Sequence, residues 1–125
     1  MRLGVTDHID CAHLLPGHAK CGQLHGHTYR VEVTVEGDLE DGMVLDFAEL
    51  KVQIRSVLDR YDHRHWNDFL EYPTVENICA RLAAELGAHV THPFSIRVYE
   101  GHAKWAETDA GPHRVRGRGE ESEGP

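Results

Sequence analysis

The stretch that decides the fold runs from Cys21 to Glu36 and reads CGQLHGHTYRVEVTVE. From Tyr29 onward, apolar residues alternate with charged and hydroxyl-bearing ones, a pattern that predicts a half-buried antiparallel strand. Side chains two residues apart on a strand point to the same face. His25 and His27 therefore project together at the start of this strand, with one glycine between them.

A third histidine, His13, closes an earlier strand that we predict from Leu3 to His13. Two imidazoles on one strand and one on its neighbour form the three-ligand set of a catalytic zinc, whose fourth position stays open to water or substrate. Imidazole suits zinc and is a poor ligand for calcium or magnesium. The pattern thus predicts a Zn²⁺ site at His13, His25 and His27.

Cys21 lies four residues before the first histidine of the pair. A nearby cation would lower its pKa and favour a reactive thiolate. Alternatively, Cys21 is a fourth zinc ligand, which would make the site structural and closed. We favour the catalytic role for Cys21 and interpret Cys11 and Cys79 as packing residues.

Periodicity predicts two helices after the first two strands. Asp46 caps the first helix and Thr74 the second, which ends at Gly87. Residues 94–100 then form a strand, and a short strand around Trp105 pairs back. The order β-β-α-α-β-β predicts an α+β fold, in which a two-layer arrangement places two helices on one face of an antiparallel sheet. The apolar stripes of the two helices are Phe47, Leu50, Ile54, Val57, Leu58 and Tyr61 in the first, and Ile78, Leu82 and Leu86 in the second.

Length and composition limit the possible functions. A chain of 125 residues predicts one domain. We place it at 1–108 and expect the Gly-, Arg- and Glu-rich segment 109–125 to be disordered. A net charge of −8 argues against a general nucleic-acid binder. Without a secretory signal, a membrane-spanning apolar run or a disulfide framework, we expect a cytoplasmic protein with reduced thiols.

Five further residues carry groups that could serve chemistry. Asp62 beside His63 can set the imidazole tautomer for proton transfer, although the same pair suits a solvated helix end. Glu100 follows an apolar strand and can accept two parallel hydrogen bonds from a planar N–H pair, or be an ordinary edge carboxylate. Thr74 and Glu76 open a helix and either only cap it or also contact a heterocycle.

Together these motifs resemble the 6-pyruvoyltetrahydropterin synthase family, from roughly Ile9 to Glu100. Three residues separate the cysteine from His-Gly-His, as in the branch that forms 6-carboxytetrahydropterin for queuosine precursors, whereas pyruvoyl-forming enzymes have a longer gap. The motifs that carry the resemblance are Ala12-His13, Cys21 to His27, Leu45 to Lys51, Asp62-His63 with Asn67, Pro73 to Asn77, and Glu100.

The resemblance implies the family's T-fold, whose subunits form trimers and hexamers around a central barrel with active sites between subunits. It also assigns roles to the residues that match. His13, His25 and His27 would bind the metal. Cys21 would be the catalytic thiol, with Asp62 and His63 as its proton relay. Glu100 would anchor the pterin, and Thr74 and Glu76 would line its pocket.

The implied reaction converts 7,8-dihydroneopterin triphosphate to 6-carboxy-5,6,7,8-tetrahydropterin, with release of acetaldehyde and triphosphate. Zn²⁺ would be the cofactor, and the redox change would stay within the substrate. The triphosphate needs nearby cations, for which His18, Lys20 and Arg64 are candidates by position. Two alternatives remain: pyruvoyl-forming activity within the same family, and a non-catalytic zinc-binding module in which Cys21 is the fourth ligand.

Overall fold

The computed structural model describes residues 1–112 of the chain. The strands form one antiparallel sheet in the order β1-β2-β3-β4, and the two helices lie between β2 and β3 in the chain. This arrangement confirms the predicted α+β fold and its β-β-α-α-β-β order. The elements are β1 (Arg2–His13), β2 (His25–Glu36), α1 (Phe47–Leu58), α2 (Val75–Leu86), β3 (Phe94–Glu100) and β4 (Lys104–Ala110).

The core lies between the helices and one face of the sheet. Alternate residues of β2, from Tyr29 to Val35, are buried because their side chains point toward the helices. Helix α2 packs on β3 and β4, and α1 packs on β1 and α2. Both predicted apolar stripes are buried with one exception: Phe47, the first residue of α1, is half exposed.

The helix ends follow the predicted capping chemistry. The Asp46 carboxylate accepts the Ala48 N–H at 2.8 Å, and the Thr74 hydroxyl accepts the Asn77 N–H at 3.1 Å. Gly87 does end α2, but with a φ of −60°. Its place at the helix end therefore does not depend on the left-handed conformation that glycine permits.

Strand β4 is longer than its composition indicated. Every residue from Lys104 to Ala110 opposes a residue of β3, so backbone pairing outweighs the polar sequence. The domain thus continues past the predicted boundary at 108, because residues 109 and 110 of the predicted tail 109–125 belong to β4, and residues 113–125 lie outside the described residues. Within residues 1–112, no helix is long and apolar enough to cross a membrane.

The connection between the helices contains a short 3₁₀ turn, Trp66–Asp68. Trp66 is buried and stacks on Tyr61 with ring centroids 4.6 Å apart. Asn67 accepts the N–H of Leu14 and donates to the carbonyl of Leu14, both at 2.9 Å. This pair of hydrogen bonds holds the end of β1 against the turn.

Replacing Asn67 with leucine should lower the free energy of unfolding by about 2–4 kcal/mol, because both backbone groups of Leu14 lose their partner. Urea unfolding at one fixed protein concentration measures the change. Asp68→Asn, at the exposed neighbouring position, is the matched control and should shift stability by less than about 0.5 kcal/mol. Equal losses in the two variants would contradict the role of the Asn67 contacts.

Candidate metal centre and catalytic site

The register of the first two strands gathers three histidines. His13 opposes His25 and Cys11 opposes His27 across the β1–β2 pair. The ligand atoms of the three imidazoles all lie within 4.8 Å of one another, with His13 buried and the other two partly exposed. The structure thus brings together the three histidines singled out in the sequence, on the sheet face that also carries the core.

Backbone carbonyls fix the orientation of two of these rings. Nδ1 of His13 lies 2.8 Å from the Pro73 carbonyl, and Nδ1 of His25 lies 2.7 Å from the Gln23 carbonyl. Because a carbonyl only accepts, each Nδ1 carries the proton and each Nε2 presents a lone pair. The two Nε2 atoms face each other at 3.0 Å. Lone pairs this close repel unless a cation lies against both, so the donor set fits a metal ion.

Glu100 lies beside the histidine cluster and is largely buried. Its carboxylate oxygens are 3.7 Å from Nε2 of His27 and 3.9 Å from Nε2 of His13, and Lys104 approaches to 3.5 Å. Burial lowers the pKa of His27, although the charge of Glu100 acts in the opposite direction. The carboxylate is thus held next to the cluster, where it can accept N–H groups from a bound molecule.

Tyr29 lies beneath the imidazoles, a position that was not among the site residues predicted from the sequence. Its ring is fully buried and meets the His13 and His27 rings edge-on, at centroid distances of 6.0 and 5.9 Å. Burial, followed by the charge of Glu100, raises the pKa of its phenol, which stays neutral. The two-residue period of the strand places Tyr29 on the same face as His27, so this position could be predicted from the sequence.

Cys21 lies half-buried in the loop between β1 and β2. Its carbonyl accepts the N–H of Leu15 at 2.7 Å, and its own N–H donates to Nδ1 of His18 at 2.9 Å. In the described part of the chain, the group of clustered ligand atoms consists of the three histidines and does not include the Cys21 sulfur. The Cys21 sulfur is therefore not one of the clustered ligand atoms in this structure.

The other two cysteines are buried in the core. Cys11 donates from Sγ to the carbonyl of Tyr61 at 3.1 Å, and burial raises the pKa of its thiol to about 12. Burial likewise raises the pKa of Cys79. Both thiols stay protonated at neutral pH, which agrees with their interpretation as packing residues.

Asp62 and His63 lie along the outer edge of β1. The Asp62 carboxylate accepts the Asp10 N–H at 3.0 Å and an Arg55 N–H at 2.7 Å, and it lies 3.0 Å from Nδ1 of His63. The N–H of His63 donates back to the Asp10 carbonyl at 2.7 Å. His63 has a φ of 62°, a left-handed conformation that is strained for a residue with a side chain and persists because its contacts fix it.

Asp62 and His63 form a charged dyad, and His63 lines the same open cavity as His27 of the histidine cluster. Partial burial disfavours the carboxylate, but the Asp10 hydrogen bond and the neighbouring His63 and Arg55 lower the pKa of Asp62. Asp62 is therefore anionic at neutral pH and polarises His63, whose side chain is 78% exposed. Among residues 1–112, no hydrogen bond or ion pair joins Asp62 or His63 to Cys21.

Thr74 and Glu76 sit at the start of α2. The Thr74 hydroxyl is used as the helix cap toward Asn77, and Glu76 is exposed in the first turn. The carbonyl of Pro73, which directly precedes Thr74, lies 2.8 Å from Nδ1 of His13 at the end of β1. The segment therefore supports the metal cluster directly through its backbone, while its two polar side chains lie outside the group of three histidines.

The three candidates for triphosphate contact lie in two places. His18 and Lys20 belong to the exposed loop that carries Cys21. Arg64 lines an open cavity of about 460 Å³ at the outer edge of β1, together with His63. The lining of this cavity includes Arg64 but neither His18 nor Lys20.

Known proteins resemble this chain over nearly all of the described fold. The family model for 6-pyruvoyl tetrahydropterin synthase matches residues 2–111. The 6-carboxy-5,6,7,8-tetrahydropterin synthase of Synechocystis is 41% identical over 103 residues, which are 74% of this chain and 80% of its own. An Archaeoglobus fulgidus protein provisionally given the same name is 43% identical over 108 residues, or 86% of this chain and 94% of its own.

Solved structures show the same fold. The 6-pyruvoyl tetrahydropterin synthase of Caenorhabditis elegans superposes with a TM-score of 0.78 over 89% of this chain and 96% of its own, at 24% identity. The matched family model, the relatives and the arrangement of the sheet and helices agree along the chain. The chain belongs to the 6-pyruvoyl tetrahydropterin synthase family.

Proposed function

We propose that this protein is a zinc-dependent lyase that converts 7,8-dihydroneopterin triphosphate to 6-carboxy-5,6,7,8-tetrahydropterin. The observation that carries the proposal is the convergence of three imidazoles that leave Cys21 outside the ligand set. The relatives named 6-carboxy-5,6,7,8-tetrahydropterin synthase, at 41–43% identity over most of the chain, support this reaction over the pyruvoyl-forming one.

Zinc is the proposed metal because the ligand set is all nitrogen. His13, His25 and His27 would hold it, with two of the rings locked by the carbonyls of Pro73 and Gln23. When bound, zinc is a Lewis acid that acidifies a neighbouring hydroxyl and stabilises negative charge. Carboxylate-rich sites suit magnesium or calcium, and this cluster is not one of them.

Each of the remaining site residues has a distinct proposed task. Cys21, as a thiolate, would move protons at the carbons of the substrate side chain. Asp62 and His63 would exchange protons with that side chain from the opposite side. Glu100 would accept two parallel N–H bonds from the amino edge of the pterin, and Thr74 with Glu76 would give it further polar contacts.

The overall reaction balances without an external oxidant or reductant. One water is consumed, triphosphate leaves, and the bond between the first two side-chain carbons breaks to release the outer two as acetaldehyde. The carbon left on the ring is oxidised to a carboxylate, and the ring is reduced from dihydro to tetrahydro. The protein therefore needs to supply only proton transfer and charge stabilisation.

Product analysis tests the proposal. Purified, zinc-loaded protein is incubated with 7,8-dihydroneopterin triphosphate, the pterins are identified by mass spectrometry, and acetaldehyde is assayed separately. We expect carboxytetrahydropterin and acetaldehyde in equal amounts. A pyruvoyl product without acetaldehyde would overturn the branch, and unchanged substrate would favour the zinc-binding module.

Replacing Asp62 with asparagine should lower kcat by about 10²- to 10⁴-fold while leaving the zinc content unchanged, because the variant removes the charge that polarises His63. Steady-state kinetics and metal analysis on the same sample measure both quantities. Asp59→Asn is the matched control, since Asp59 also binds Arg55, at 2.7 Å, and is more exposed. A loss of zinc in Asp62→Asn, or kinetics equal to the control, would contradict the relay role.

We also propose that the protein is a homo-oligomer, a trimer or hexamer. In this assembly, Asp62 and His63 of one subunit would act together with Cys21 of another. Within residues 1–112, no hydrogen bond or ion pair joins the dyad to Cys21, which supports this arrangement, as do exposed apolar side chains such as Val52. Subunits carrying Cys21→Ala and Asp62→Asn, refolded together, should regain activity that neither has alone. No gain on mixing would place both groups in one subunit.

We place the protein in the cytoplasm and its product in the synthesis of queuosine precursors.

A further inference from the structure

We infer that His18 is a positioning residue that holds the catalytic thiol through the backbone of its loop, an inference that rests on the proposed role of Cys21. The Nδ1 atom of His18 accepts two backbone N–H groups, that of Cys21 at 2.9 Å and that of Lys20 at 3.2 Å. One imidazole therefore fixes the direction of the chain at the residue that carries the thiol.

Further backbone contacts close the loop around His18. Its N–H donates to the Leu15 carbonyl at 3.0 Å, and the Leu15 N–H donates to the Cys21 carbonyl at 2.7 Å. Both backbone groups of Cys21 are thus held, the N–H by His18 and the carbonyl by Leu15. The loop is a closed ring of contacts and not a free connection between β1 and β2.

Gly22 shows how closely the chain passes over His18. A Cβ atom added at Gly22 would lie 2.5 Å from the carbonyl oxygen of His18, which is backbone and has little freedom to move. Only glycine permits this approach, so the residue directly after Cys21 is also fixed against His18. Gly22 is therefore needed for the position of the thiol.

The accepted hydrogen bonds also determine the form of the imidazole. A nitrogen that accepts two N–H groups carries no proton, so in this conformation the ring N–H of His18 is on Nε2. The sequence had offered His18 as a cation for the triphosphate. The geometry instead gives its Nδ1 atom a supporting role in the loop, and Lys20 and Arg64 remain candidates for triphosphate contact.

The test compares two variants. His18→Leu removes the acceptor. His18→Asn keeps one, because the Oδ1 atom of asparagine is bonded to Cγ, as Nδ1 is in histidine. His89→Leu, at an exposed position after α2, is the control for loss of a surface histidine. Each variant is assayed for kcat, zinc content and the rate at which Cys21 reacts with a disulfide reagent in the folded protein. Cys11 and Cys79 are buried, so Cys21 is the thiol that such a reagent reaches.

We expect His18→Leu to lower kcat by about 10- to 100-fold, as a misplaced catalytic group does, with unchanged zinc. Its loop should open and expose the half-buried sulfur, which raises the labelling rate. His18→Asn should recover most of both properties, and His89→Leu should match the unmodified protein. The inference is overturned if His18→Leu keeps full kcat, or if the asparagine and leucine variants are equally impaired. Full turnover in Cys21→Ala would instead overturn the proposed function.

Discussion

Replacing Cys21 with alanine should lower kcat by about 10²- to 10⁴-fold and leave the bound metal in place, because the variant removes a proton-transfer group but no metal ligand. The three histidines form the ligand group without the sulfur, and two of their rings are held by backbone carbonyls. Neither feature depends on the thiol. Steady-state kinetics and metal analysis on one preparation measure the two effects.

The matched control for this variant is Cys79→Ala, which removes a buried thiol from α2. It should cost some stability and leave kcat unchanged. The competing interpretation, a structural zinc module, predicts the reverse pattern for Cys21→Ala: the metal would be lost together with its fourth ligand. A zinc content that falls with the cysteine would therefore contradict a catalytic site.

Replacing His13 with asparagine should weaken metal binding by more than about 100-fold and abolish turnover, because two imidazoles remain where three are needed. His13 is the buried ligand, and its Nε2 lies 3.0 Å from that of His25. Metal content after dialysis against a weak chelator measures the loss. Added zinc should restore activity to chelated unmodified protein but not to the variant.

His8→Asn is the control for His13→Asn. His8 is on the same strand but exposed on the opposite face of the sheet, five residues before His13. Its replacement should leave both metal content and turnover unchanged. Full metal content in His13→Asn would show that this histidine is a core residue and not a ligand.

The sheet and the shared face of His25 and His27 could be predicted because both follow from a two-residue period that local sequence displays. The place of His13 was harder. An eleven-residue loop separates β1 from β2, so their pairing register is not evident in the sequence. The third histidine was inferred from the two strands being neighbours, and the structure places it opposite His25.

The features that could not be predicted from the sequence depend on contacts between segments that are distant in the chain or on the conformation of a loop. The dyad of Asp62 and His63 is held by the backbone of Asp10, more than fifty residues away. The length of β4 is set by pairing with β3 and not by its own composition. The supporting role of His18 depends on the conformation of its loop. A loop has no periodic pattern from which the hydrogen bonds of a histidine could be predicted.

X-ray absorption spectroscopy of the zinc-loaded protein tests the open three-histidine site most directly. Zinc bound to nitrogen gives ligand distances of about 2.0–2.1 Å, whereas a thiolate adds a scatterer at about 2.3 Å. We expect nitrogen and oxygen ligands alone, and the same spectrum from Cys21→Ala. A sulfur at the longer distance that disappears in Cys21→Ala would contradict the site, because Cys21 would then be a ligand and the zinc structural.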